Sequence, residues 1–248
     1  MASSSTVYLV SGANRGIGLE FINTLARRPN TIVFAGARNP SVAIDLNTLA
    51  AKYPDRVHVV QLVSGEKEGN ARVIEKIKQT AGRLDVVIAN AGICQWMGPL
   101  VEAPAETMTE HFNVNVVGTL VLFQAAYSLM KASPTKKFVA IGAGAGSISR
   151  GPDFGYVLGP YACSKAAEHF LAKKLQFENE DFVIFPICPG RVVTDMYGNA
   201  QANDPLLAKE PGKTPEESVR GLMAVIDNAT RENAGGKFMD VSGGINEW

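Results

Sequence analysis

A tyrosine and a lysine stand four positions apart in a stretch with a helical pattern. They are Tyr161 and Lys165, and residues at i and i+4 lie on one face of a helix. A cation beside a phenol favours the phenolate and lowers the tyrosine pKa, bringing proton exchange closer to neutral pH. The pair therefore predicts a general acid for a reduction. The same spacing also occurs on helices without a catalytic role, so the spacing alone leaves both readings open.

A second chemical signal is the glycine-rich stretch at residues 11–18. It follows an apolar run at residues 7–10 and opens a helical pattern. A strand that turns through glycines into a helix directs backbone N–H groups and the positive end of a helix dipole at one point, which suits a diphosphate. Glycine is required where a Cβ would strain the turn or block the phosphate. The candidate cofactor contacts in this stretch are Gly12, Asn14, Arg15, Gly16, Ile17 and Gly18.

The residue after the second apolar run indicates which dinucleotide would bind. A free ribose 2′-hydroxyl calls for Asp or Glu at this place, but the sequence has Arg38. A guanidinium here suits a 2′-phosphate, and Arg15 could approach it from the glycine turn. We therefore expect NADP(H) rather than NAD(H), with a solvated loop arginine as the alternative reading of Arg38.

Composition excludes several classes of function. The 248 residues are 46% hydrophobic and 19% charged, and 24 basic residues balance 24 acidic ones, so the chain lacks the basic footprint of a nucleic-acid or membrane-surface binder. The three cysteines and three histidines lack metal-ligand spacing, so no metal site is expected. Without a signal-peptide pattern or an apolar run of membrane-span length, we expect a cytoplasmic protein with a small-molecule partner.

The elements that must position these residues alternate between strand and helix. Near-continuous apolar runs predict buried parallel strands, at residues 7–10, 31–36, 57–62, 84–89, 137–141, 182–187 and 237–241. Helices are predicted between them, among others at 41–52, 115–131 and 161–177. The pattern predicts one α/β domain over residues 1–248 with a doubly wound parallel sheet, a Rossmann fold. Residues 189–213 follow a strand end and are rich in Pro, Gly and Asn, where we expect a substrate lid.

Together these motifs resemble the short-chain dehydrogenase/reductase family over almost the whole chain. The glycine turn matches the pattern Thr-Gly-x-x-x-Gly-x-Gly with Ser11 in place of Thr, and Tyr161 and Lys165 match the Tyr-x-x-x-Lys pair. In the family the lysine also contacts the nicotinamide ribose, and an Asn at the position of Asn115 holds a water in the proton relay. Further matching residues, implied to shape or contact the cofactor site, are Asn90, Ala91, Gly92, Pro189, Gly190, Val192 and Thr194. The resemblance also implies a homodimer or homotetramer.

The chain departs from this family at two positions. Ala143 occupies the place of the catalytic serine, and Ser147 and Ser149 could replace it only in a rearranged loop. Val63 stands where an acidic residue usually contacts adenine. Loss of a serine that stabilises charge on the substrate oxygen costs about 10²- to 10³-fold in the rate of ketone reduction, whereas a cationic iminium accepts hydride without that help.

The loop before Tyr161 supplies a candidate counter-ion for such a cation. Asp153 and Tyr156 lie in this loop, which is similar to a loop of fungal indole-alkaloid reductases that also promote a Diels–Alder cyclisation. A turn-capping Asp is the alternative reading. The carboxyl-terminal region resembles a fungal subgroup similar to norsolorinic acid ketoreductase. We therefore expect an oxidoreductase that transfers hydride from NADPH to a C=O or C=N of a secondary metabolite. The alternatives are a cofactor-binding cyclase and a catalytically dead NADP(H)-binding protein.

Overall fold

Seven parallel strands form the centre of the molecule in a computed structural model that describes residues 5–248. They lie side by side in the order β3-β2-β1-β4-β5-β6-β7, and every pairing is parallel. Their bounds are β1 Thr6–Val10, β2 Thr31–Ala37, β3 Val57–Gln61, β4 Val86–Ala89, β5 Lys137–Ile141, β6 Val183–Cys188 and β7 Met239–Asp240. The order reverses direction between β1 and β4, where doubly wound sheets bind ligands. The predicted fold class is confirmed.

Helices cover both faces of the sheet. Their bounds are α1 Gly16–Ala26, α2 Ile44–Lys52, α3 Lys67–Ala81, α4 Ala105–His111, α5 Gly118–Lys131, α6 Gly159–Glu178, α7 Asp195–Asn203 and α8 Pro215–Asn228. Side chains from α1, α2 and α8 pack on one face in a cluster that includes Phe21, Leu46 and Leu222. Side chains from α3, α5 and α6 pack on the other face, with Ile77 and Phe123 among them. Because both faces are covered, the strands are apolar at nearly every position.

The helix at Asn115 differs from the prediction. It begins at Ala105 rather than at Asn115, and α4 continues into α5 through a π-helical turn at Phe112–Val117, where Gly118 N donates to Asn113 O, five residues earlier. The first part of this helix follows Pro104 and is mostly polar, so it lacks the apolar periodicity from which a helix is predicted. Contrary to expectation, the combined segment Ala105–Lys131 has the length and composition of a membrane span. Its buried side chains pack against the sheet, as in the core helix of a globular domain.

The segment predicted as a lid also contains a helix. Within residues 189–213, α7 is capped by Thr194, whose Oγ1 accepts from Tyr197 N at 3.3 Å. The segment closes through a bridge between Val192 and Lys213. It therefore forms ordered structure beyond the carboxyl end of β6, where little periodicity predicted only a loop.

Candidate active site

The glycine turn joins β1 to α1 at the carboxyl edge of the sheet. Gly12 and Gly16 have positive φ angles of 63° and 54°, which residues with a Cβ adopt only at a cost. A Cβ on Gly18 would lie 2.1 Å from the carbonyl oxygen of Gly12. Gly12 and Gly16 are therefore required by their backbone conformation, and Gly18 by its close approach to the backbone of Gly12.

A second segment holds this turn in shape. Ser11 Oγ accepts hydrogen bonds from the backbone N–H groups of Asn90 and Ala91, both at 3.0 Å. Asn90 Nδ2 donates back to the carbonyl oxygens of Ser11 and Gly12 at 3.0 and 3.1 Å. The role implied for residues 90–92, shaping the cofactor site, fits these contacts.

The start of α1 provides hydrogen-bond donors for an anion. Among the described residues no side chain caps the first turn of this helix, so its leading N–H groups point outward. Asn14 and Arg15 are exposed at the mouth and Ile17 is partly buried. Thr194 lies directly beside Gly16, on the other side of the turn. A Cβ on Gly16 would be only 3.1 Å from Thr194 Cγ2. The predicted glycine and Thr194 positions are thus brought together, with a cradle that fits a diphosphate.

The two arginines predicted for a 2′-phosphate are placed differently. Arg38 is exposed directly after β2, as expected. The Arg15 guanidinium instead forms a 2.9 Å ion pair with Asp195, the first residue of α7. Val63 is partly buried, and its carbonyl accepts from Asn70 Nδ2 at 3.0 Å. Arg15 therefore connects the glycine turn to the 189–213 segment.

Tyr161 and Lys165 lie in the first half of α6, and the lysine is deeply buried. Lys165 Nζ is 5.9 Å from the centroid of the Tyr161 ring, which agrees with the predicted shared face. The same ammonium donates to Ile141 O at 2.8 Å and to Glu168 Oε2 at 2.6 Å. Glu168 Oε1 in turn accepts from Thr119 Oγ1 at 2.9 Å.

Sequence analysis missed Glu168 and Thr119. Glu168 lies seven residues after Tyr161, on the same helical face, and is fully buried. A glutamate on a helix ordinarily indicates a solvated surface, so the residue type gives no sign that Glu168 is buried. Its i+7 relation to Tyr161 and i+3 relation to Lys165 would have identified it.

Asn115 lies in the π-helical turn and is also fully buried. Its Oδ1 accepts from Ile93 N at 2.9 Å, and its Nδ2 donates to Ile93 O and to Ser164 Oγ. Its carbonyl oxygen lies 2.9 Å from Thr119 Oγ1 and shares the single proton of that hydroxyl with Glu168 Oε1. The side chain therefore fixes the loop after β4 against α6, on the side where Lys165 lies.

Burial controls proton binding in this region. It raises the pKa of Tyr161 well above its usual value, with smaller contributions from Cys94 and Glu168. It also raises the pKa of the Cys94 thiol to about 12, against the opposing effect of Lys165. The pKa of Glu168 is raised by burial, while Lys165 and Thr119 act in the other direction. The phenol of Tyr161 is consequently protonated at neutral pH and able to donate.

Both serines in the segment after β5 are engaged in other hydrogen bonds. Ala143 N donates to His169 Nε2 at 3.2 Å, so that backbone donor is also engaged. Ser147 Oγ accepts from Arg150 N at 3.1 Å, and Ser149 Oγ donates to Trp248 O at 2.7 Å. Neither serine is arranged to replace a hydroxyl at Ala143.

An apolar wall lies beside Tyr161. Tyr161 packs with Tyr156 and with residues of the 189–213 segment, namely Met196, Tyr197, Ala200 and Leu207, together with Cys94, Met97 and Leu158. Tyr156 stacks on Phe154 with ring centroids 5.6 Å apart. Asp153 is exposed on the same loop. Among residues 5–248, no group of three His, Cys, Asp or Glu residues is arranged to hold a metal ion.

Comparison with known families and sequences shows what this chain is similar to. A family model described as short chain dehydrogenase matches residues 6–205. A norsolorinic acid ketoreductase of Emericella nidulans is 37% identical over 96% of this chain and 92% of its own length. One from Dothistroma septosporum is 36% identical over 96% and 90%.

Solved structures give the same picture. An NADPH-bound carbonyl reductase from chicken fatty liver superimposes with a TM-score of 0.87 at 27% identity, covering 99% of this chain and 100% of its own. A carbonyl reductase of Pseudomonas aeruginosa in complex with NADP gives 0.79 at 27% identity, with coverage of 99% and 100%.

Proposed function

Since the chain belongs to the short-chain dehydrogenase family of oxidoreductases, we propose that it reduces a C=O or C=N bond with NADPH. A single observation carries this proposal. A protonated, partly buried phenol at Tyr161 lies beside Lys165 and an apolar wall. A hydride acceptor in that space would meet a proton donor on one side and low-polarity surroundings on the other.

The cofactor site proposed for this chain lies along the carboxyl edge of the sheet. Gly12, Gly16 and Gly18 would receive the diphosphate on the first turn of α1, and the exposed guanidinium of Arg38 would meet a 2′-phosphate. Lys165 would contact the nicotinamide ribose, and the 189–194 segment would border the nicotinamide. The apolar side chain of Val63 would contact adenine more weakly than an acidic side chain at this position would. A bound NADPH supplies the hydride.

The chain itself supplies the proton. Tyr161 donates to the oxygen of a ketone as hydride arrives at carbon, Lys165 orients the phenol, and Asn115 holds the loop that faces both. Because Ala143 brings no hydroxyl, the substrate carbonyl must be polarised by other means. A ketone carrying its own hydrogen-bond donor meets this requirement, and so does a cationic iminium.

The relatives and the apolar wall beside Tyr161 support the proposed substrate class. The named relatives are ketoreductases and the named structures are carbonyl reductases, which supports a reductase over a cyclase or an inactive binding protein. The apolar wall formed by residues such as Met97 and Leu207 suits a bulky aromatic secondary metabolite. Residues 189–213 would act as its lid within a single domain, and Asp153 and Tyr156 would meet it at the rim.

We also propose a cytoplasmic homodimer or homotetramer. Phe170 and Phe177 lie seven positions apart, on one face of α6, and expose 69% and 77% of their surface. Exposed apolar side chains on one face form a patch of the kind that marks protein interaction sites. Light scattering that returned the mass of one chain at micromolar concentration would contradict the oligomer. Imaging of the tagged protein in its own cell tests the location.

The test of the function is NADPH oxidation with a panel of hydroxyaryl ketones and cyclic iminium ions. Tyr161→Phe is expected to reduce kcat for ketones by about 10²- to 10⁴-fold, because the proton donor is removed. NADPH affinity, measured by calorimetry, should change little.

The chain provides a matched control for this variant. Tyr127 and Lys131 have the same four-residue spacing on α5, and Lys131 Nζ donates to the Tyr127 hydroxyl at 3.2 Å. Tyr127 stacks on Phe182 next to the amino end of β6, away from the site. Tyr127→Phe should leave kcat unchanged. Equal activity of Tyr161→Phe and the wild type would remove Tyr161 from the mechanism.

A further inference from the structure

Glu168 forms a buried ion pair with the lysine of the proposed active site. Its carboxylate is fully buried, and the Lys165 side chain is only 5% exposed. Lys165 Nζ and Glu168 Oε2 are 2.6 Å apart. Charged side chains are rarely buried without a specific arrangement, because desolvation is costly and the attraction only partly offsets it. The pair thus calls for an explanation beyond packing.

The groups around Glu168 come from two helices. Thr119 on α5 places its hydroxyl 2.9 Å from Glu168 Oε1 and also 2.9 Å from Asn115 O. On α6, Lys165 is the facing charge, and Tyr161 is close enough for the carboxylate to affect its ionisation. The Cys94 thiol and the His169 imidazole are further titratable groups near Lys165, and Cys188 also affects the ionisation of Tyr161.

The carboxylate changes what Lys165 does to the phenol. An isolated ammonium 5.9 Å from the Tyr161 ring would favour the phenolate. With an opposite charge 2.6 Å from that ammonium, the tyrosine faces a compact dipole, whose field falls off much faster than that of a unit charge. The neutral phenol is then the favoured state. This is the protonation state that a reduction needs and that an alcohol oxidation does not.

We propose that Glu168 is a positioning residue that suits the site to reduction, because its carboxylate balances the Lys165 ammonium and leaves the proton on Tyr161. The catalytic consequence rests on the function proposed above, whereas the charge balance belongs to the chain itself. In the reduction, hydride adds to the carbonyl carbon, the Tyr161 proton adds to the oxygen, NADPH becomes NADP⁺, and solvent restores the phenol. Glu168 changes the pH ranges of the forward and reverse reactions and leaves their equilibrium unchanged.

The direct test is the ultraviolet titration of Tyr161 in the cofactor-free protein. Subtracting the curve of a matched Tyr161→Phe background isolates this one phenolate. In Glu168→Gln the lysine charge is no longer balanced, so the phenolate should appear at a pH lower by about one unit or more, a tenfold or larger change in its ionisation constant. Lys165→Gln should shift the titration upward.

The double variant Lys165→Gln/Glu168→Gln is the sharpest arm of the test. It removes both charges, so the titration should return close to that of the wild type. It also leaves no buried charge unpaired, so it remains informative if Glu168→Gln fails to fold. A double variant displaced by one unit or more from the wild type would overturn the charge-balance account.

Glu178→Gln is the matched control. Glu178 lies on the same helix and forms an exposed pair with Lys174 at 3.0 Å. Its substitution should leave the Tyr161 titration unchanged. A Glu168→Gln curve that coincides with that of Glu178→Gln would refute the inference.

Activity supplies the second readout. In Glu168→Gln the alkaline limb of kcat/KM for ketone reduction should move to lower pH by about the same one unit, with KM for the ketone little changed. A wild type that oxidises no NADPH with any carbonyl or iminium would contradict the proposed function. The titration would still decide the role of Glu168.

Discussion

At the scale of single residues, Ala143 is the main difference between this site and the pattern of the short-chain dehydrogenase family, which has a serine at this position. Its methyl group cannot hold a substrate oxygen, and its backbone N–H is engaged by His169. Under the proposed function, the Tyr161 phenol would be the donor to that oxygen. The substrate would then contribute more of its own activation than it would in a site with a serine.

Ala143→Ser tests this conclusion. The added hydroxyl would supply one more donor to the developing oxyanion, so kcat for unactivated ketones should rise, by up to about 10²-fold. The rate with an iminium substrate should stay within a factor of two or three, because no oxyanion forms. Steady-state assays with one ketone and one iminium of similar size provide the measurement. Ala145→Ser in the same loop serves as the control, and equal rates for both variants on ketones would show that position 143 does not limit the reaction.

Residues that act through long-range contacts were the ones that sequence reasoning could not place. Tyr161 and Lys165 were predictable because helical periodicity fixes their relation. The pairing of Arg15 with Asp195 spans 180 positions, and no local pattern encodes it. Glu168 was hidden by the ordinary expectation that a helical glutamate faces solvent.

At the scale of elements, the glycine turn is the tightest junction between a strand and a helix in the proposed site. A Cβ on Gly18 would meet Gly12 O at 2.1 Å and Asn90 Nδ2 at 2.7 Å. Backbone and the amide that fixes the turn would both have to move. The consequence extends beyond the residue, because the same turn orients the first N–H groups of α1.

We expect Gly18→Ala to weaken NADPH binding at least about tenfold, or ~1.4 kcal/mol. It should also destabilise the fold by about 1–3 kcal/mol through overpacking. Calorimetry with NADPH and urea unfolding measure the two effects. Gly198→Ala on α7 is the control, since a Cβ there meets nothing within 4 Å and alanine favours helix. Comparable NADPH affinity in the two variants would contradict the assignment of the turn.

Strands were the elements that the sequence specified best. The run at residues 137–141 matches β5 residue for residue, because strands covered on both faces are apolar throughout. Helices with polar exposed faces were harder. The α4 segment Ala105–His111 buries only His111, so it has no apolar stripe from which a helix could be predicted. The π-helical turn that follows is closed by a hydrogen bond between residues five apart, where an α-helix has four, so it departs from the 3.6-residue period by which helices are predicted.

At the scale of the whole molecule, His169 links the site to acid stability. It is 1% exposed, its Nε2 accepts from Ala143 N, and its ring lies 4.1 Å from that of Phe238. Burial lowers the pKa of His169 from 6.5 to about 3. The unfolded chain therefore takes up a proton near pH 6.5 that the folded chain does not accept until about pH 3. Stability from this residue is complete above pH 6.5 and decreases as the pH falls through that window.

Between pH 8 and about pH 5, this linkage should cost the folded protein about 2 kcal/mol. Urea unfolding at both pH values measures it directly. His169→Leu should lose less stability over the same interval than the wild type, although it begins from a lower value. His58 is half-buried beside Phe34, and burial also lowers its pKa, though less than that of His169. The comparison variant His58→Gln should therefore recover a smaller share of the lost stability. If His169→Leu and the wild type lost stability equally over this interval, another group would be responsible.

The π-helical turn at Phe112–Val117 has a consequence for changes in chain length. A π-helical turn holds one residue more than the same stretch of α-helix, and each residue of an α-helix advances the direction of its side chain by about 100°. The turn therefore lets Asn115 anchor its loop while Phe123 and Met130 still face the sheet. Deleting one residue within the turn, such as Val114, can be absorbed by conversion of the turn to α-helix. A deletion farther along α5, where no extra residue is held, would rotate these apolar side chains away from the sheet.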